Sequence, residues 1–176
     1  MKKHIFLTGD VQIGKSTAIS KALKLLKIIP GGFRTFGVNY QEDGSSDVFI
    51  FPANSTPEYG YRVAHRTAGC KIIFREIFDE FGSFLLKQQS ELILMDELGY
   101  MESAALKFQQ TVFETLDGTV PVLGVVRNKD TPFLNAVRAR DDVLVLTVTE
   151  NNRDYIPEKI VYFFSSALKK EKESGN

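Results

Sequence analysis

The chain has 176 residues, 43% of them hydrophobic, enough for one substantial core and too few for two ordinary domains. Its 22 basic and 22 acidic side chains balance, which removes the strong positive field that would hold a long nucleic acid nonspecifically. Cys70 is a lone cysteine and His4 and His65 are the only histidines, so neither an internal disulfide nor a zinc site of closely spaced ligands is encoded. No window reaches the roughly 20 apolar residues of a membrane-spanning helix. The apolar run after Lys2 and Lys3 ends within three residues at Thr8 and Gly9, short of a secretory leader. The expectation is one domain, 1–176, working in a reducing cytoplasm with neither membrane nor nucleic acid as its partner.

A strand is expected from Lys3 or His4 through Ile5-Phe6-Leu7. It runs into Gly9-Asp10-Val11-Gln12-Ile13-Gly14-Lys15-Ser16-Thr17, the pattern G-x-x-x-x-G-K-[ST]. Glycines let such a backbone curl until its N–H groups converge on phosphate oxygens, and the helix that follows directs its positive end at them. Lys15 is expected on the β- and γ-phosphates, Ser16 on Mg²⁺ and Thr17 on the α-phosphate. From Lys15 to Lys27, Ile19, Ala22, Leu23 and Leu26 recur at helical spacing, so strand, turn and helix are all present. The predicted ligand is ATP, GTP or another nucleoside triphosphate.

Pro30-Gly31-Gly32 ends this unit, and two segments with β character follow, Phe33 to Tyr40 and Asp47 to Phe51, joined by Glu42-Asp43-Gly44-Ser45-Ser46 as a hairpin. From Cys70 to about Gln89 the spacing of Ile73, Ile77, Phe81, Phe84 and Leu85 predicts a second helix, disturbed at Gly82. Phe74, Phe78, Phe81 and Phe84 read as core rather than as a platform for a base. Glu91 to Met95 is an apolar strand, Ser103 to Leu116 an amphipathic helix closed by Asp117-Gly118, and Val120 to Val126 another strand. Pro132 to Arg140, Val143 to Val148 and Pro157 to Lys170 complete the series as helix, strand and helix, with a solvated charged tail from Lys169. Four aliphatic strands separated by helices predict an α/β fold whose mainly parallel sheet is covered on both faces, with a β-hairpin after the first helix.

Phosphate transfer needs a managed metal and a positioned nucleophile besides a phosphate loop. Leu92-Ile93-Leu94-Met95-Asp96-Glu97 offers both: a strand ending in Asp is the Walker B arrangement, with Asp96 holding Mg²⁺ and Glu97 acting as general base. Arg34 and Arg127 are candidates for stabilising charge on the transferred group, with Arg138 and Arg140 behind them. Asn151, Asn152 and Arg153 follow the last strand, where they either flank the base or cap the next helix. Asn128-Lys129-Asp130-Thr131 is not the guanine-reading N-K-x-D, because its carboxylate comes one residue early; it reads as a polar loop.

With these residues in hand, the chain resembles the small P-loop nucleoside-triphosphatase family that includes a thermophilic bacterial nucleoside triphosphatase and the human cancer-related one. The likeness rests on the phosphate loop, Gly32-Phe33-Arg34-Thr35 against G-F-x-T, and Asp96-Glu97-Leu98-Gly99-Tyr100-Met101-Glu102 against D-E-I-G-K-M-E. It continues through Pro121-Val122-Leu123-Gly124, residues 137–143, and Val148-Thr149-Glu150-Asn151-Asn152-Arg153 against V-T-x-E-N-R. The resemblance implies a three-layer P-loop sandwich, RecA-like or kinase-like, and slow Mg²⁺-dependent hydrolysis of triphosphates with little base selectivity. Tyr100 stands in place of the family's lysine, so another cation must serve there or the reaction is slower. Phe36-Gly37 replaces glutamates, and residues 41–70 match weakly. Two rival functions share the phosphate loop: a kinase passing the γ-phosphate to a small acceptor, against which the strands at residues 31–60 speak, and a nucleotide-dependent switch that docks a protein partner.

Overall fold

The computed structural model describes residues 2–38 and 44–174, with side chains described as far as residue 165. Its strands in chain order are β1 (His4–Thr8), β2 (Gly31–Val38), β3 (Ser46–Pro52), β4 (Tyr61–Arg66), β5 (Lys71–Ile73), β6 (Ile93–Leu98), β7 (Val122–Val126) and β8 (Val143–Thr147). The helices are α1 (Lys15–Leu26), α2 (Arg75–Ile77), α3 (Ser83–Leu86), α4 (Leu106–Asp117), α5 (Pro132–Arg138) and α6 (Ile156–Ser174). A π-helical turn, Phe78–Gly82, joins α2 to α3.

All eight strands lie in one sheet, in the order β5-β4-β3-β2-β6-β7-β1-β8. The five from β2 to β8 in that order are parallel, and β3, β4 and β5 extend the sheet antiparallel from β2. Parallel strands with helices on both faces have no solvated side, so their residues are apolar in unbroken runs. Every residue of β7 is buried, as are Ile5, Phe6 and Leu7 of β1 and Ile93, Leu94 and Met95 of β6.

Alternation along these strands divides the interior into two cores. Ile5, Leu7, Leu94, Leu123 and Val125 meet Ala18, Ile19 and Leu23 of α1 and Ile156, Ile160 and Phe164 of α6. Phe6, Ile93, Met95, Val122 and Val126 face the other way, onto Phe108 and Val112 of α4 and Phe133, Leu134 and Val137 of α5. This is the three-layer sandwich. Gly124 faces Phe6 in register; a Cβ there would stand 2.4 Å from a ring carbon, so the absent side chain is the space the phenyl ring occupies.

The β-hairpin expected after the first helix is present, and the sheet continues beyond it. β2 and β3 pair as expected, but β4 and β5 carry the antiparallel sheet two strands further. The expected helix from Cys70 begins instead as strand β5, and the helical stretch runs from Arg75 to Leu86 with its π turn ending at Gly82. Residues 39–43, which include the end of the expected first hairpin strand and the start of its turn, lie outside the described residues. No helix of the described residues is long and apolar enough to cross a membrane.

Candidate active site

The polar residues collect where the parallel strands end. The loop between β1 and α1 turns through backbone values that side chains resist: Gly9 has φ 132, Gln12 φ 61 and Gly14 φ 109. At Gly9 a Cβ would also come within 2.5 Å of the Val148 carbonyl oxygen. Lys15 folds over this loop and donates from Nζ to the carbonyl oxygens of Gly9 (2.9 Å) and Asp10 (2.6 Å). Burial lowers its pKa from the usual lysine range, while Glu97 and the neighbouring acids work the other way.

Asp96 and Glu97 arrive from β6. Pairing between β6 and β7 steps irregularly from Met95–Gly124 to Leu98–Val126, and the two acids occupy that step. In a regular strand they would face opposite sides of the sheet; here both line the same hollow. Ser16 Oγ donates to Asp96 Oδ1 at 3.2 Å, and Arg34 pairs with Oδ2 at 3.1 Å. Burial raises the Asp96 pKa, and Arg34, then Ser16, counter it. Glu97 forms an ion pair with Arg127 Nε, and its backbone N–H donates to Thr35 Oγ1 at 3.3 Å.

A cleft of about 360 Å³ lies over the loop, lined by Gly9 to Gln12, Gly14 to Thr17, Glu97, Arg127, Asn128 and Lys129. Of the phosphate-loop residues singled out in the sequence, Ile13 does not line it and packs against the α1–α6 core. Arg34 stands behind Asp96 and also reaches Ala53 O (3.4 Å) and Ser20 Oγ (3.5 Å). Arg138 braces the cleft from outside: its guanidinium donates to the carbonyl oxygens of Arg127 and Lys129, each at 2.7 Å. Arg140 is elsewhere, paired with Asp117 and Asp142. Asn151, Asn152 and Arg153 do not line the cleft; Asn152 closes a turn, accepting from Thr149 N and donating to Thr147 O at 2.9 Å each. Neither bond reaches an N–H of α6, so the Asn152 side chain braces the turn after β8 and does not cap the helix.

The donors suit Mg²⁺. Ser16 Oγ and Asp96 Oδ1 are hard oxygens side by side, and Mg²⁺ takes one or two protein oxygens and completes its shell with water and phosphate. Among the described residues no three His, Cys, Asp or Glu side chains gather into an all-protein cage.

Sequence reasoning passed over several residues here. Asn128 and Lys129, read as a plain polar loop, line the cleft; their place at the carboxyl end of a parallel strand was the available signal. Arg66 and Lys71 were unassigned, and both reach the Tyr100 hydroxyl, Arg66 at 3.3 Å and Lys71 across the ring face. Tyr100 therefore stands beside two cations brought from β4 and β5.

Residues 4–161 match a family model described as NTPase. The nucleoside-triphosphatase THEP1 of Methanosarcina barkeri is 31% identical over 170 residues, covering 92% of this chain and 97% of that protein. A solved human cancer-related nucleoside triphosphatase superposes with a TM-score of 0.75 at 25% identity, over 93% of this chain and 98% of its own. THEP1 from Aquifex aeolicus shares the fold, with a TM-score of 0.73 at 22% identity over 91% and 98% of the two chains.

Proposed function

The chain belongs to the NTPase family, and from that membership we propose that it is a nucleoside-triphosphate phosphohydrolase, using water and Mg²⁺ to give a nucleoside diphosphate and phosphate. The observation that carries the reading is the convergence of Ser16, Asp96 and Glu97, which are remote in sequence, beside the mouth of the phosphate loop.

The loop N–H groups and Lys15 hold the polyphosphate, and Ser16 and Asp96 would hold the metal, which would supply positive charge against the phosphate oxygens. Glu97 orients a water and takes its proton as the new P–O bond forms and the bond to the β-phosphate bridging oxygen breaks. Arg127 steers the Glu97 carboxylate through their ion pair, and Arg138 holds the loop that carries Arg127. Broad base selectivity agrees with a cleft whose lining, among the described residues, includes no aromatic side chain.

The test is product analysis with γ-labelled triphosphates, wild type beside two variants. Lys15→Ala is expected to abolish triphosphate binding, and Glu97→Gln to keep binding while cutting turnover by about 10²-fold or more. Equal loss of affinity in both variants would make Glu97 a metal or structural residue. Label appearing on a small acceptor faster than as free phosphate would make the protein a kinase.

A further inference from the structure

Beside the nucleotide cleft a second pocket of about 290 Å³ opens, sharing Ser16, Glu97 and Arg127 with it and adding Asp47, Arg66 and Tyr100. It lies at the lower limit of small-molecule sites, about 300 Å³. Its outer wall is built by the antiparallel extension of the sheet.

The pocket's lining carries the acids Asp47, Asp96 and Glu97 with Arg66 and Arg127, and further cations stand around it. Asp96 is paired with Arg34, Glu97 with Arg127, and Asp47 with His65 at 2.7 Å and Arg62 at 3.5 Å. Arg66, in the lining, and Lys71, outside the lining but on Tyr100, remain, and among the described residues neither has a carboxylate within ion-pair distance. Both instead donate to one neutral oxygen, the Tyr100 hydroxyl. Two cations on one phenol repel each other unless an anion joins them. The Lys71 pKa falls to about 8, through burial first and then the nearby Arg66 and Arg127 charges.

We propose that the Tyr100 side of this pocket is a second oxyanion site, in which Arg66 from the lining and Lys71 from beyond it, meeting at the Tyr100 hydroxyl, bind a phosphate group beside the terminal phosphate of the nucleotide. The proposal rests on the nucleotide reading for its neighbour across Glu97 and Arg127. A guanidinium and an ammonium converging from two strands match a tetrahedral dianion, the guanidinium through its planar fork and the lysine as a point charge. Two sources present that chemistry: the orthophosphate cut from the nucleotide, or the phosphate of a small phosphomonoester. Tyr100 gathers the two cations and aims them.

Equilibrium dialysis of the full chain with labelled orthophosphate tests this, with Mg²⁺ and a non-hydrolysable triphosphate analogue keeping the first cleft filled. Orthophosphate is expected to bind the loaded protein, about 10-fold or more weaker in Arg66→Ala/Lys71→Ala. Analogue affinity should not change in that variant, and Arg66→Lys/Lys71→Arg should recover phosphate binding. Glycerol phosphate and a nucleoside monophosphate serve as competitors: either displacing the label more tightly than orthophosphate identifies an ester-borne phosphate, and weaker displacement by both identifies the reaction product. No uptake by the loaded protein, or equal uptake by the double alanine variant, overturns the proposal. Analogue binding is read in the same cells; its failure counts against the nucleotide reading, while phosphate uptake lost with Arg66 and Lys71 still supports the second site.

Discussion

Glu102 has no exposed surface; Oε2 accepts the Gly99 N–H at 3.0 Å, and Oε1 has no hydrogen-bond partner among the described residues. Burial pushes its carboxyl up from 4.5 to about 7, against the pull of the backbone donors. A carboxyl whose folded pKa is raised binds its proton more tightly folded than unfolded. The folded state therefore loses stability as pH rises from about 4.5 through about 7. Gln mimics the protonated acid, so Glu102→Gln should gain up to about 3 kcal/mol relative to wild type between pH 5 and pH 8. Urea unfolding midpoints at the two pH values measure this; a difference that does not vary with pH would mean the carboxyl titrates as an exposed one. Glu102 ends the segment that begins with Asp96 and Glu97, so its proton bears on the loop under the site.

At the scale of the element, β1 and β7 lie together because Phe6 occupies the space over Gly124. Gly124→Ala should cost about 1–3 kcal/mol by overpacking, read from denaturant unfolding, and Phe6→Leu in the same chain should recover part of the loss. If Gly124→Ala is neutral, the two strands have freedom to part. The phosphate loop, β6 with its acids, and the strands on either side were legible in the sequence, because each is contiguous and its apolar run or glycine spacing states its own geometry. β4 and β5 were not. Tyr61–Arg66 carries two arginines and a histidine, and only the adjacent Val63 and Ala64, at the irregular step of its pairing with β3, are buried, so no apolar alternation marks it as a strand. The apolar spacing from Ile77 onward was genuine helix, but Ile73 continues the same spacing from within a three-residue strand and so hid it. For the same reason Arg66 and Lys71 carried no signal. They meet at Tyr100 only because nonlocal pairing aligns β3, β4 and β5.

Across the whole molecule the sheet has two unlike ends. The carboxyl ends of the parallel strands hold the cleft over the loop between β1 and α1, while His4, at the start of β1, is buried at the other. Its Nε2 lies 3.0 Å from Leu116 O, and its Nδ1 accepts Val122 N–H at 3.0 Å, so the ring is neutral and bridges α4 to β7. Burial, with Lys3 adding to it, lowers its pKa from 6.5 to about 4. The unfolded chain then binds the proton more tightly, and stability falls as pH drops from about 6.5 through about 4, by up to about 3 kcal/mol. This opposes the Glu102 effect over part of the same range. His4→Gln keeps a donor and an acceptor without the charge, so its deficit against wild type should shrink by that amount between pH 7.5 and pH 4 in unfolding experiments. Its triphosphate affinity at pH 7.5 should match wild type; a loss there would mean the two ends communicate. The interposed strand β7 has a further effect. With neighbouring strands about 4.8 Å apart, β1 and the acid-bearing β6 are held roughly 10 Å from each other by main-chain hydrogen bonds alone. On the proposed reading the sheet is a ruler for the substrate: backbone spacing would decide which phosphorus of the bound chain comes level with Glu97, and side-chain changes around it would tune the speed of cleavage without moving the cut.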